Sequence, residues 1–367
     1  MKKGFFIFYL VLLGSAANGQ IHPNPGADTS SHQVKEAIFF MEKYIKDFQE
    51  DRAVDFSQYY TDEACEKYNR PDKIAFSLIG DNPVYIMGQP TLLSAGEKGD
   101  TVRLKLQFSD SDTTGNINTY FISNHIISFE NSEPVFLVNL DINTSPWKKK
   151  QIRNITFHYP EYHHFKSNQA NKLIKKIDQL ENNWDLSPEK IDYYFTKTRK
   201  EIQHIRGFDF NFYMGGNEVP TGLADVKDNL VFTSGLDESH FHEIVHIYLN
   251  KKYPDSPLKE GIAVYLGGSL GHELKWHLEK LNTFIKNNPE TNIHNPRSFY
   301  YLDETTNPQY AIQGLLCYLA YQSGGTDELK KLMEYNTMKK IYTDYFNVTK
   351  GKENEFLRKQ IKKLPVQ

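Results

Sequence analysis

Apolar positions change their period twice along this chain. In VKEAIFFMEKYIKDFQE, Val34, Ile38, Met41, Ile45 and Phe48 recur every three or four residues, the stripe of an amphipathic helix. From about residue 73 the period falls to two. Val102, Leu104, Leu106 and Phe108 alternate with polar residues, and TYFISNHIISF and PVFLVNLDI follow with turn residues between them, which predicts a run of antiparallel strands. The polar, proline-bearing NTSPWKKK (143–150) predicts a domain boundary. Beyond it, IRNITFHYP reads as a strand, and KSNQANKLIKKIDQLENNW as a helix with Ala170, Leu173, Ile177 and Leu180 on its apolar face. DLSPEK predicts a helix start, with Ser187 as cap and Pro188 in the first position. FDFNFYM predicts a strand with Phe208, Phe210, Phe212 and Met214 on one face. LVFTSG (230–235) predicts another, ended by a glycine just before a helix over 238–252.

This order of elements predicts an α+β protein of two domains: a helix-plus-antiparallel-sheet domain over 34–147 and a second α+β domain over 150–362. The first resembles, in element order, nuclear-transport-factor-2-like domains, a curved sheet wrapped on helices. Residues 20–33, rich in turn formers, predict a flexible leader. Ahead of them, Lys2 and Lys3, the apolar FFIFYLVLL and the small-residue GSAANG predict a signal peptide over 1–19, cut before Gln20. The apolar run is too short to span a bilayer and no cysteine follows it. The expected product is secreted or periplasmic, with no membrane span after cleavage and no lipid anchor.

Charge narrows the partners. Against 46 Asp+Glu stand 43 Lys+Arg, a formal −3, which is no footprint for nucleic acid. The only cysteines, Cys65 and Cys317, are too few for a cysteine zinc site. They read as separate buried thiols, although an oxidising compartment permits a disulfide. Sequons stand at Asn143, Asn154 and Asn347. Oligomeric state is left open.

The chemistry concentrates in ESHFHEIVHIYLN. Phe241, Ile244, Val245, Tyr248 and Leu249 form the stripe that faces a core, while His242 and His246 sit one turn apart at its flank, where both imidazoles can converge on one ion. Glu243 then lies where it can take a proton from a water, as in H-E-x-x-H helices. A third ligand is available in SPLKEGIAVYLGG. Ser256 and Pro257 mark a new helix, and Glu260 falls in its first turn, with thirteen residues between it and His246. Two imidazoles and a carboxylate plus a water make a catalytic zinc set. The bland readings are a polar helix flank for the histidines and a helix-start acid for Glu260. His240 is expected on another face of the helix, Glu238 as an early-turn acid, and His163 and His164 at the surface. LVFTSG is a candidate exposed edge for an extended peptide.

At this point HEIVH followed by KEGIAVYLGG resembles the gluzincin metallopeptidases of the thermolysin and aminopeptidase N type. The likeness extends over about 150–360 to the small secreted peptidase MA-like members. It implies one Zn²⁺ per chain on His242, His246 and Glu260, with Glu243 as general base. It also implies that Tyr310, four residues before Gly314 at the start of a later helix, stabilises the oxyanion. The gap from His246 to Glu260 is shorter than in the aminopeptidases, and the glycine-rich motif that anchors a free amino terminus has no clear counterpart. An endopeptidase acting on peptide or protein substrates is therefore expected over an aminopeptidase. The rival expectation is an inactive, zinc-binding pseudo-peptidase that serves as a binding module.

Overall fold

The alternation over Val102–Phe108 becomes the middle of the first sheet, with its apolar face fully buried. The computed structural model describes residues 19–50, 54–78, 80–129, 133–216, 218–294 and 302–364. The predicted signal peptide lies outside the described residues except for Gly19. The chain is mixed α/β and divides into two units, Met1–Asn143 with Gln203–Gly215, and Thr144–Ile202 with Gly216–Gln367. Among the described residues no helix is long and apolar enough to cross a membrane.

The first unit opens with β1 (His22–Pro23), α1 (His32–Glu50) and the short α2 (Asp62–Lys67), followed by β2 (Gln89–Lys98), β3 (Thr101–Ser111), β4 (Ile117–Ser128), β5 (Val135–Leu137) and α3 (Asn139–Thr144). β2, β3 and β4 form an antiparallel meander, with register shifts at Leu92/Ser94 and Phe108/Ser109; such bulges add local twist. The buried face of α1 meets this sheet through an aromatic core that includes Tyr44, Phe48, Tyr85, Phe108 and Phe121. Two expectations are corrected here. The leader is not free: β1 pairs in parallel with β2, Ile21 is buried, and its N–H donates to Glu42 Oε1 at 2.8 Å. PVFLVNLDI is a strand only as far as Leu137, and Asn139–Thr144 is helical.

The second unit begins with β6 (Lys148–Ile152), β7 (Ile155–Tyr159), α4 (Ser167–Trp184), β8 (Ile191–Thr196) and the start of α5 (Arg199–Arg206), which passes into the first unit at Gln203. β7 and β8 are parallel and joined through α4, whose Ala170, Leu173, Ile177 and Leu180 enter the core as expected. No helix starts at Ser187. α4 ends at Asp185 in the left-handed region (φ 53°), and six residues later the chain is already in a central strand. Asn154 Nδ2 holds the Glu189 carbonyl and Tyr248 Oη accepts the Glu189 N–H, which keeps the link extended.

The chain then returns to the first unit with β9 (Phe208–Asn211), which pairs with β4 over Phe121–Ser123. FDFNFYM was expected as one strand of the second domain. It is instead a four-residue strand of the first sheet and a 3₁₀ turn over Phe212–Gly215, with Phe212 exposed. The expected cut over 143–150 is therefore only one of three crossings between the units.

Back in the second unit come β10 (Thr221–Asp225), β11 (Leu230–Ser234), α6 (His242–Lys252), α7 (Lys259–Gly267), α8 (Leu274–Asn287), α9 (Pro308–Met333), α10 (Met338–Lys340) and α11 (Glu353–Lys362). The sheet order is β10-β11-β8-β7-β6. β11 is fully buried between β8 and β10, so LVFTSG is not an edge; β10 is. Cys317 is buried and Cys65 half-buried, and both are free thiols.

Candidate metal centre

The candidate site rests on how α6 is entered and left. β11 ends at Gly235 (φ 67°), and a tight turn on Asp237, which accepts from Ser239 N and Oγ, leads into the helix. α6 starts at His242, four residues later than expected, and His242 through Leu249 are all buried. A helix apolar on one stripe alone would leave a wet face; this one is enclosed on every side. His240 therefore lies before the helix, and Glu238 is no early-turn acid. It is fully buried and accepts from His163 Nε2 and Lys166 N, both at 2.8 Å. Burial alone would raise its carboxyl, but these two donors hold it below the usual range. His163 is thus paired, not a free surface residue.

His242 and His246 turn their Nε2 atoms toward each other at 3.2 Å. Glu260, in the first turn of α7, brings Oε2 to 3.6 Å from His242 Nε2 and Oε1 to 3.6 Å from His246 Nε2. Among the described residues these three are the one group of histidine, cysteine or acidic side chains placed to hold a metal ion. Ligands about 2.0–2.1 Å from a tetrahedral zinc lie roughly 3.3–3.4 Å from one another, so the set fits the ion.

The far side of each imidazole is also fixed. His242 Nδ1 lies 2.5 Å from the Gly268 carbonyl, which can only accept, so Nδ1 carries the hydrogen. His246 Nδ1 faces the Asn250 amide, with Nδ2 at 3.2 Å and Oδ1 at 3.4 Å. Carbonyl and amide partners of this kind orient metal-binding imidazoles. Gly268 is the cap of α7 (φ 75°), so that helix carries Glu260 at its start and His242's anchor at its end. Burial opposes a charged His242, yet Glu260, Glu243 and the Gly268 carbonyl outweigh it and lift the imidazole to about 9; Glu260 is held down despite its burial.

A cleft of about 370 Å³ opens on these groups, and Glu243, His240 and Tyr310 line it. Tyr310 stands in the first turn of α9, capped by Asn307 Oδ1, which accepts from Gln309 N (2.9 Å) and Tyr310 N (3.4 Å). Buried His277 ties this cap to the Gly268 loop. Its Nε2 donates to the Ser269 carbonyl at 3.1 Å, and Nδ1 meets Thr306 Oγ1 at 3.3 Å. Sequence reasoning missed Asn250, Gly268, His277, Gly222 and Arg199. Only Asn250, one turn beyond His246 on the same helix, left a local signal. No family model matches the chain, and no curated protein is similar to it.

Proposed function

We propose that the second unit is a zinc-dependent peptidase of the gluzincin type, exported from the cell, with the first unit as an accessory domain of nuclear-transport-factor-2-like layout. The observation that carries this reading is the convergence of His242 Nε2, His246 Nε2 and the Glu260 carboxylate beside Glu243 in one cleft. His242, His246 and Glu260 would hold one zinc ion, which supplies Lewis acidity to the scissile carbonyl and to a water.

The remaining work falls to the protein's own groups. Glu243 takes a proton from the water and passes it to the leaving nitrogen. The Tyr310 hydroxyl donates to the developing oxyanion. The free edge of β10 receives an extended peptide, with Thr221, Gly222 and Leu223 along the cleft. Buried Gly268 and half-buried Asn250 keep both imidazoles aimed while this happens.

The test compares wild type, Glu243→Gln and Glu260→Ala for zinc per chain and for cleavage of a mixed peptide pool. Wild type should carry about one ion and cleave. Glu243→Gln should keep the ion and lose turnover by roughly 10²–10⁴-fold or more. Glu260→Ala should lose or greatly weaken the ion. Full activity in Glu243→Gln sinks the mechanism, and a wild type that binds zinc but cleaves nothing is the pseudo-peptidase.

A further inference from the structure

Among the described residues, four charged side chains other than histidine line the cleft: Glu243, Glu260, Glu304 and one cation, Arg199. Two of the acids have work at the metal. The arginine has none there, and among the described residues no carboxylate is paired with its guanidinium. The contrast within the unit is sharp. Arg153 is engaged by Asp178 and Glu181, and Arg358 by the carbonyls of Ile285, Asn288 and Thr291.

The main chain at Arg199 is anchored. Its backbone N–H donates to Glu218 Oε2 at 3.0 Å, which ties the start of α5 to the segment entering β10. The sheet register sets its position along the cleft. Thr196, the last residue of β8, pairs with Ser234 of β11, and Ser234 pairs with Thr221 of β10. Arg199 follows Thr196 by three residues and shares the cleft wall with Val219 and Thr221. It therefore sits at the Thr221 end of the β10 edge. One residue along that edge, Gly222 packs on the Glu243 carboxylate.

We infer that Arg199 is a specificity residue that binds a substrate carboxylate on the C-terminal side of the cleaved bond. This rests on the peptidase reading above. A peptide added antiparallel to β10 runs from the Asp225 end toward the Thr221 end, so its C-terminal part arrives at Arg199. Antiparallel pairing is the slightly more stable arrangement. At a rise of about 3.4 Å per residue the guanidinium lies within about two or three residues of the bond opposite Gly222. A planar guanidinium pairs with a carboxylate through two parallel hydrogen bonds, a geometry that lysine cannot reproduce. The chemistry is a carboxylate, supplied either by the chain terminus of a short peptide or by an acidic side chain.

The experiment uses zinc-loaded full-length Glu243→Gln protein and a randomised N-acetylated hexapeptide pool, prepared once with free C-termini and once as C-terminal amides. Bound peptides are read by mass spectrometry. Free acids should be retained about tenfold over amides, and the preference should fall to within about twofold when Arg199→Met is added. Arg199→Lys should restore only part of it. Retention of amides enriched in Asp or Glu in their C-terminal half, lost in the Arg199→Met protein, assigns the acidic side chain as the source. Equal retention of both pools with no enrichment of Asp or Glu, a carboxylate preference that survives Arg199→Met, or no retained peptide overturns the inference. The same pools given to the wild type separate the two claims. Cleavage without carboxylate preference removes Arg199's role alone, while carboxylate-selective binding without cleavage removes the peptidase reading and leaves Arg199 as a carboxylate-binding residue with no cleaved bond to refer to.

Discussion

A methyl group at Gly222 would stand 2.4 Å from Glu243 Oε1, 2.5 Å from its Cγ and 2.7 Å from His240 Cε1. The residue is outside the left-handed region, so space alone, not backbone freedom, calls for glycine here. Gly222→Ala should therefore push the Glu243 carboxylate aside without touching a metal ligand. We expect zinc content unchanged and kcat lower by roughly 10–100-fold, since small misplacements of a reacting group carry costs of that size; steady-state kinetics with metal analysis checks both halves. A glycine in a strand marks close approach of something, but TGLAD carries too little apolar alternation to be read as a strand, so this contact was not legible. The approach of His242 to His246 was, because helical spacing sets it, and Glu260 joins them across one short loop. The His163–Glu238 pair was not, because 75 residues separate its partners.

Helices α7 and α9 cross where neither has a side chain to spare. A Cβ at Gly261 would meet Gln313 Cβ at 2.5 Å and its carbonyl carbon at 2.6 Å, while one at Gly314 would meet Leu274 Cδ1 at 2.7 Å and the Gly261 carbonyl at 3.5 Å. The glycine after Glu260 thus serves the crossing that fixes Glu260's helix beside the helix bearing Tyr310. Gly261→Ala should destabilise by about 1–3 kcal/mol through overpacking. Thermal melts should show a lower Tm, with zinc bound more weakly because Glu260 moves with α7. At this scale the sequence was read well where one face is apolar and one polar, as in α1, α4 and β3. It failed where tertiary context decides. Ser187-Pro188 has the chemistry of a helix start, but Ile191, Tyr193 and Phe195 are drawn into the sheet core within a few residues. β11 reads as an edge only until β10, nearly featureless in sequence, is laid beside it.

For the whole molecule the first unit sets an acid limit. His125, fully buried on β4 with Ser123 Oγ at 2.9 Å from Nε2 and Tyr85 and Phe136 rings nearby, is pushed down to about 4 by burial, with Asp72 pulling weakly the other way. The unfolded chain takes up this proton near pH 6.5, and the folded one refuses it until about 4. Stability contributed at neutral pH should therefore fall as pH drops through that window, by roughly 3 kcal/mol in full. Urea unfolding followed by circular dichroism at steps from pH 7 to 4 should show this slope in the wild type and a flatter one in His125→Gln. The return over 203–215 was not legible, because a four-residue strand gives no sign of which sheet it will join. That return has a consequence for biosynthesis. As the chain leaves the ribosome, the first sheet still lacks β9 when β7, α4 and β8 of the second unit are already made, and β10, the strand beneath Glu243, emerges only after the first unit has been closed. Neither unit can mature as a bead on a string, and a stalled or truncated product ending before residue 211 would leave both sheets incomplete at once.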